Sequence, residues 1–226
     1  MKVSREQVAL NRERIVDTAA RLFRQNGYDG IGVADLMKSA GLTHGGFYGH
    51  FASKEDLLAA ATRHALDRSV QRWQHKAAAA GNPAVALADI GDHYLSASHR
   101  DQPENGCAVT ALGPDVARLG PAVRSALTAG VAGQVAVLEQ CAANAAAGAG
   151  TGAGSAAAGA GAGAGPGNGA GAGADAAAAR RQALATYAAM VGAVVLARAV
   201  NDQALSDEIL AAVRQELVQL AAPPSS

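Results

Sequence analysis

The stretch Gly32–Phe51, GVADLMKSAGLTHGGFYGHF, decides how the rest of the chain is read. Val33, Leu36 and Met37 recur at the spacing of one buried face of a short helix. Gly41 follows Ser39-Ala40 where that helix must stop, because glycine takes the left-handed backbone at little cost. Leu42 then turns inward, and Thr43 is placed to cap a second helix by accepting from a free backbone N–H. That second helix carries His44, Gly45, Gly46, Phe47, Tyr48 and His50. Helix, glycine-containing turn, helix is the unit whose second helix can lie in the major groove of DNA.

Upstream, Ser4 to Asn26 reads as one helix: Ile15, Ala19, Leu22 and Phe23 share a face, and Gly27 ends it. Arg5, Arg12 and Arg14 near its start suit either phosphate contact or an ordinary solvated face. Downstream, Ser53 caps another helix, with Glu55 and Asp56 in its first turn, where acids complement the dipole. Leu57, Leu58, Ala61, Ala65 and Leu66 form its buried stripe, and Trp73 extends it.

These residues together resemble the DNA-binding domain of TetR/AcrR-type transcriptional regulators. The resemblance is carried by Ile15 through Phe23, Gly27-Tyr28, Ala40-Gly41-Leu42-Thr43, Phe47-Tyr48-x-His50-Phe51 and Ser53-Lys54-Glu55-x-Leu57, and it covers residues 9–69. It implies an all-α homodimer of about nine helices per chain. A three-helix DNA-binding domain (residues 9–69, helix-turn-helix 32–51) would precede a ligand-binding and dimerisation domain (residues 70–222). It further implies DNA contacts from Gly32, Thr43, His44, Gly45, Gly46, Tyr48, His50 and Lys54, with Tyr48, His50 and Lys54 on phosphates. Phe47 and Phe51 read as core. Gly32 departs from the Ser or Thr that relatives often carry at the cap of the second helix, so one hydroxyl contact is missing there.

The charge distribution agrees. The chain is neutral overall, but Lys and Arg outnumber Asp and Glu 12 to 8 through Lys76 and fall behind 7 to 11 after it. Such asymmetry fits a nucleic-acid-binding part joined to a mildly acidic one. Alanine abundance and scarce aromatics suit helices.

In the second half, Ala84 to Ser98 is expected as a helix, 101–106 as a loop, and Cys107 at the opening of the next helix. A long helix should run from Pro121 to about Ala145, and another from Asp175 to Val200 with Leu184, Tyr187, Val191 and Val195 on one face. Ser206 should cap the last helix. Between the two long helices, residues 146–175 are almost wholly Gly and Ala and read as a flexible linker.

The resemblance places a ligand pocket among the C-terminal helices, with Tyr94, Cys107, Thr110 and Tyr187 as candidate contacts; core packing is the competing reading for each. The small apolar residues there suggest a compact lipophilic or aromatic inducer. Cys107, at a helix N-terminus where thiolates are favoured, is also a candidate sensor of electrophiles or oxidants. Most members of the resembling family are repressors released from a near-palindromic operator by a small molecule; activation is the alternative.

Two cysteines give neither a disulfide framework nor a metal site, and His64 and His75 have no partners at metal-ligand spacing. No cofactor is expected. No paired carboxylates, nucleophile–base set or phosphate loop points to an enzyme. No secretory signal is visible and no stretch reads as a membrane span, so a cytoplasmic protein is expected.

Overall fold

The structure is a computed structural model and describes residues 4–151 and 169–221. It holds nine α-helices and two 3-10 turns, with no strand among the described residues. α1 is Arg5–Asn26, α2 Val33–Ser39 and α3 Lys54–Ala79. α4 is Pro83–Tyr94, α5 Ala97–Asp101 and α6 Ala108–Val116. α7 is Pro121–Thr151, α8 Gly169–Ala199 and α9 Gln203–Ala221.

The N-terminal unit closes around Ile15, Ala19 and Phe23 of α1, Leu36 and Met37 of α2, and Leu57 and Leu58 of α3, all buried. Ser4 caps α1 by accepting from the Gln7 N–H at 3.1 Å. Gly27 ends it at φ 75°, a backbone open to glycine at little cost. Ser53 caps α3 by accepting from the Asp56 N–H at 3.0 Å.

α3 runs on out of the N-terminal unit and packs along α7. The contact is close because Gly130 and Gly133 of α7 leave their Cβ space to Leu66 and Val70 of α3. α7 then packs on α8, α8 on α9, and α4 fills the space between α7 and α9.

Several expectations are corrected. The helix expected over 84–98 divides: α4 ends at Tyr94, and Ser96 caps the short α5 by accepting from the His99 N–H at 3.2 Å. What reads as loop at 101–106 contains a 3-10 turn, Pro103–Asn105. Pro114 sits inside α6. Asp202, not Ser206, caps α9: its Oδ1 accepts from the N–H groups of Ala204 (2.9 Å) and Leu205 (3.2 Å). Ser206 is instead buried, donating to the Ala197 carbonyl at 2.7 Å.

The Gly/Ala tract is shorter as a linker than its composition suggests, since α7 continues to Thr151 and α8 begins at Gly169. Alanine's helix propensity carries both helices into it. The remaining stretch, 152–168, lies outside the described residues. The buried face of α8 is Ala183, Tyr187, Met190, Val194 and Ala197, while Leu184 is exposed. Ala176–Ala199 is also long and apolar enough to cross a membrane by length and composition, contrary to the sequence reading. In this fold it packs between α7 and α9.

Candidate DNA interface and ligand cavity

Gly41 adopts φ 71° and turns the chain sharply after α2. The Leu42 N–H reaches back to the Met37 carbonyl at 2.9 Å and closes that helix end. The next element is a 3-10 helix of six residues, His44–Gly49, and not an α-helix. Three of its residues are glycines, the poorest helix formers after proline, and short runs tolerate the tighter winding.

Phe47 anchors this turn in the core at 1% exposure, and Phe51 buries beside it with ring centroids 5.9 Å apart. Each such burial contributes about 1.5–3 kcal/mol. Around that anchor Thr43, His44, Gly45, Gly46 and Tyr48 are all exposed. Tyr48 is 70% exposed, its ring set edge-on to Phe47. A Cβ on Gly45 would meet nothing within 4 Å, so the outer surface of the turn is open.

The expected cap by Thr43 is not made through its hydroxyl; the backbone carbonyl of Thr43 accepts from the Gly46 N–H at 3.0 Å. Gly32 caps α2 with backbone alone, as its missing side chain dictates. Lys54 opens α3, with Nζ 4.3 Å from the centre of the Tyr28 ring. Arg12 lies over the Phe51 ring at 4.8 Å. His50 is half-buried, and its Nδ1 is enclosed without a hydrogen-bond partner among the described residues.

In the C-terminal half, a cavity of about 100 Å³ opens between α3, α4, α5 and the segment 102–107. Tyr94 and Cys107 line it, as expected from the sequence. Thr110 and Tyr187 do not, and their polar atoms are occupied. The Thr110 hydroxyl donates to the Cys107 carbonyl at 2.9 Å and accepts from Arg198 at 3.1 Å. The Tyr187 hydroxyl donates to Gln134 Oε1 at 2.7 Å.

Gln134 is fully buried and is the polar hub beneath the cavity: its amide also donates to Ser69 Oγ at 3.1 Å. His99 is held in one neutral tautomer. Its Nδ1–H donates to the Tyr94 carbonyl at 2.6 Å, so its Nε2 accepts from the Cys107 N–H at 2.8 Å. Burial lowers its pKa to about 4, which keeps the ring uncharged.

Sequence reasoning misses the cationic wall of this cavity, made by Arg72 and Lys76 with His93 opposite. A signal for it exists. Ser69, Arg72, Trp73 and Lys76 stand at i, i+3, i+4 and i+7 on α3, so whatever Trp73 faces, these residues border. The pocket is consequently more polar at its mouth than small apolar residues suggest.

Three groups of contacts join the two halves. Arg24 Nε of α1 donates to the Glu104 carbonyl at 3.1 Å. The Tyr28 N–H donates to Asp115 Oδ2 at 2.9 Å, and the Gly120 N–H to Glu55 Oε1 at 2.9 Å.

Comparison with known proteins agrees with this geometry. The family described as "Bacterial regulatory proteins, tetR family" matches residues 15–61. The HTH-type transcriptional repressor NemR of Escherichia coli (strain K12) is 28% identical over 134 residues, covering 59% of this chain and 67% of that protein. The HTH-type transcriptional repressor KstR2 of Mycolicibacterium smegmatis is 32% identical over 84 residues, 37% of this chain and 41% of that one. Among solved structures, the reduced form of E. coli NemR superposes with a TM-score of 0.74 at 24% identity, covering 96% of this chain and 99% of that one. A TetR transcriptional regulator from Chloroflexus aurantiacus gives 0.69 at 24% identity, with 95% of each chain covered. Residues 15–61 thus match the DNA-binding domain of the tetR family, and the described residues share the fold of TetR-type regulators.

Proposed function

We propose that the protein is a ligand-responsive transcriptional repressor that binds a near-palindromic operator as a homodimer in the bacterial cytoplasm. The observation that carries this reading is the open surface of the 3-10 turn, where Thr43, His44, Gly45, Gly46 and Tyr48 stand exposed around the single buried anchor Phe47. In this reading His44 and Thr43 meet base edges or phosphate, and Gly45 and Gly46 permit close approach. Tyr48, His50 and Lys54 contact the backbone on either side, and Gly32 offers an N–H to phosphate at the start of α2. The relatives named as repressors support the regulatory sign.

Dimerisation is supported by apolar side chains left exposed on the last two helices: Leu184 and Leu196 on α8, Leu205 and Val218 on α9. Ala188 and Gly192 lie between the two leucines of α8, and a Cβ on Gly192 would meet nothing within 4 Å of its own chain. A two-fold pair sets its recognition turns at a fixed spacing, which makes the preferred DNA near-palindromic.

Release follows from coupling between the cavity and the N-terminal unit. The cavity wall at Asn105, Gly106 and Cys107 continues directly from Glu104, whose carbonyl holds Arg24 of α1. A small-molecule inducer that favours a displaced wall shifts the population toward a spacing unsuited to successive major grooves.

A second reading is carried by Cys107. It is a buried residue of the cavity wall, unpaired in any disulfide, with its Sγ donating to Gln134 Oε1 at 3.9 Å, and an electrophile or oxidant that enters the cavity comes close to it. Cys141 offers no such route, since burial raises its thiol above the ordinary range. Selection of DNA fragments by the purified protein tests the first reading: a near-palindromic consensus is expected, and no sequence preference at low salt overturns it. A reporter with and without the protein reads the regulatory sign. A Cys107→Ser variant that still leaves DNA on exposure to electrophiles ends the thiol reading.

A further inference from the structure

Resting on the reading of this cavity as the ligand site, we propose the class of ligand it takes: a single aromatic ring bearing a carboxylate, with Arg72 and Lys76 holding the anion at the mouth and the ring against Trp73 and Tyr94.

Charge comes first. Arg72 and Lys76 face this space, His93 stands across from them, and no carboxylate among the described residues lines it. Neither Arg72 nor Lys76 has a salt-bridge partner among the described residues. Partial burial and the neighbouring Arg68 lower the Arg72 guanidinium from its ordinary value, with Cys107 acting in the opposite sense, so Arg68 adds to the positive field here. His99 supplies no competing charge, because both its ring nitrogens are spent on backbone groups.

Tyr94 also lines the cavity, through its ring. Tyr94 is 3% exposed, yet its hydroxyl has no hydrogen-bond partner among the described residues. Burial raises this phenol well above its ordinary range, so it stays protonated and acts as a donor. Behind the cationic mouth the surface is aromatic: Trp73 meets Tyr94 edge-on with centroids 5.7 Å apart. The cavity, about 100 Å³ with an open mouth, is on the scale of one ring; a closed apolar cavity of ~150 Å³ takes benzene.

Calorimetric titration of the full chain with 4-hydroxybenzoate, its neutral isostere 4-hydroxybenzamide, and benzoate tests the proposal. The acid is expected to bind at least tenfold more tightly than the amide at low ionic strength. Arg72→Gln should erase that preference, and Lys76→Gln should reduce it. Equal binding of acid and amide, no binding of either acid, or full preference retained in a folded Arg72→Gln protein overturns it. The selected DNA fragment separates this from the broader reading. If the acid binds and DNA stays bound, the anion assignment stands and the inducer reading fails. If neutral compounds alone bind and release DNA, the reverse holds.

Discussion

The guanidinium of Arg24, on the last turn of α1, donates through Nε to the main-chain carbonyl of Glu104 at 3.1 Å, three residues before Cys107 in the cavity wall. Its Nη2 bonds the same carbonyl. Burial and the nearby cations Arg72 and Arg68 lower its pKa to about 10, so it remains charged at neutral pH. Hydrogen bonds from a charged group contribute about 1.5–3 kcal/mol. Arg24→Met is therefore expected to lower the melting temperature by roughly 4–10 °C for a chain of this size. It should also blunt ligand-driven release from DNA more than DNA affinity itself. Melting curves and DNA titrations with and without ligand check both parts, and a variant with normal release would remove this contact from the coupling route.

Tyr48 and Lys54 separate affinity from stability. Tyr48 is 70% exposed and packs only its ring edge on Phe47, so Tyr48→Ala should leave the melting temperature nearly unchanged. Lys54 lies over Tyr28, and its loss should cost about 0.5–1 kcal/mol of fold stability. Each substitution should weaken DNA binding; loss of the Lys54 charge should also reduce the salt slope by ~1, while loss of the neutral Tyr48 should leave the slope nearly unchanged. Fluorescence anisotropy across a salt series measures this. Unchanged affinity in both variants would place the interface elsewhere.

His99 predicts a pH dependence with a defined sign. Its folded-state pKa of about 4 lies below the ordinary histidine value of about 6.5, because burial favours the neutral ring. Between those values the unfolded chain binds more protons, so stability rises with pH there. The contribution is complete above about pH 6.5 and is lost as pH falls toward 4, a change of about 3 kcal/mol. His93 is lowered as well, by burial first and then by Lys76 and Arg72, and acts in the same direction. Urea midpoints from pH 7 to 4.5 should fall steeply in the wild type. His99→Asn, which retains a donor for the Tyr94 carbonyl, should flatten most of that slope.

The N-terminal unit is legible in the sequence because its determinants are local. Gly41 must take a positive φ, Ser53 must cap, and Phe47 must bury, whatever the remainder of the chain does. The winding of the recognition turn is not legible, since helical periodicity over six residues cannot separate 3-10 from α. The cavity is half legible. Tyr94 and Cys107 stand out as half-polar residues, whereas Arg72 and Lys76 have the look of a solvated face, and only the packing of α4 and α5 against α3 sets them at the mouth of a cavity. Asp202 and Ser206 offer two caps for α9; the buried bond from Ser206 to Ala197 decides between them, and no local pattern encodes it. Nor does any local pattern encode α5, which is tied to α9 through Arg100.

Arg100 of α5 is buried, with Nε on Asp101 at 2.7 Å and Nη1 on Ser206 at 3.0 Å and Asp207 at 2.5 Å. It holds both carboxyls below their ordinary range, chiefly through these hydrogen bonds. A depressed folded-state carboxyl stabilises fully above its unfolded value near 3.8, and that contribution is lost as pH falls through the folded value. The loss belongs below about pH 4, beneath the histidine window. Arg100→Met should lower the unfolding midpoint at pH 7 and reduce the further loss of stability below about pH 4. A variant whose acid limb matches the wild type would refute this role for the α5–α9 tie.

The close approach of α3 and α7 makes Gly130 the most sensitive position on the long helices. A Cβ built there would lie 2.5 Å from Leu66 Cβ and closer still to its Cδ1, distances that require movement. Leu66 is fully buried, so its side chain has no free space to retreat into. Helix propensity favours alanine over glycine by ~1 kcal/mol, and overpacking opposes it by typically ~1–3 kcal/mol. The steric effect wins, because the clash reaches Cβ and not only the end of the side chain. Gly130→Ala is therefore expected to destabilise the fold by about 1–2 kcal/mol. Gly192→Ala on α8, where a Cβ meets nothing in the single chain, should leave the protomer unperturbed and weaken association of the pair. Urea unfolding of each variant, beside sedimentation of Gly192→Ala, distinguishes a packing glycine inside the protomer from one reserved for a second copy. Gly130→Ala at wild-type stability would show that α3 and α7 are free to separate.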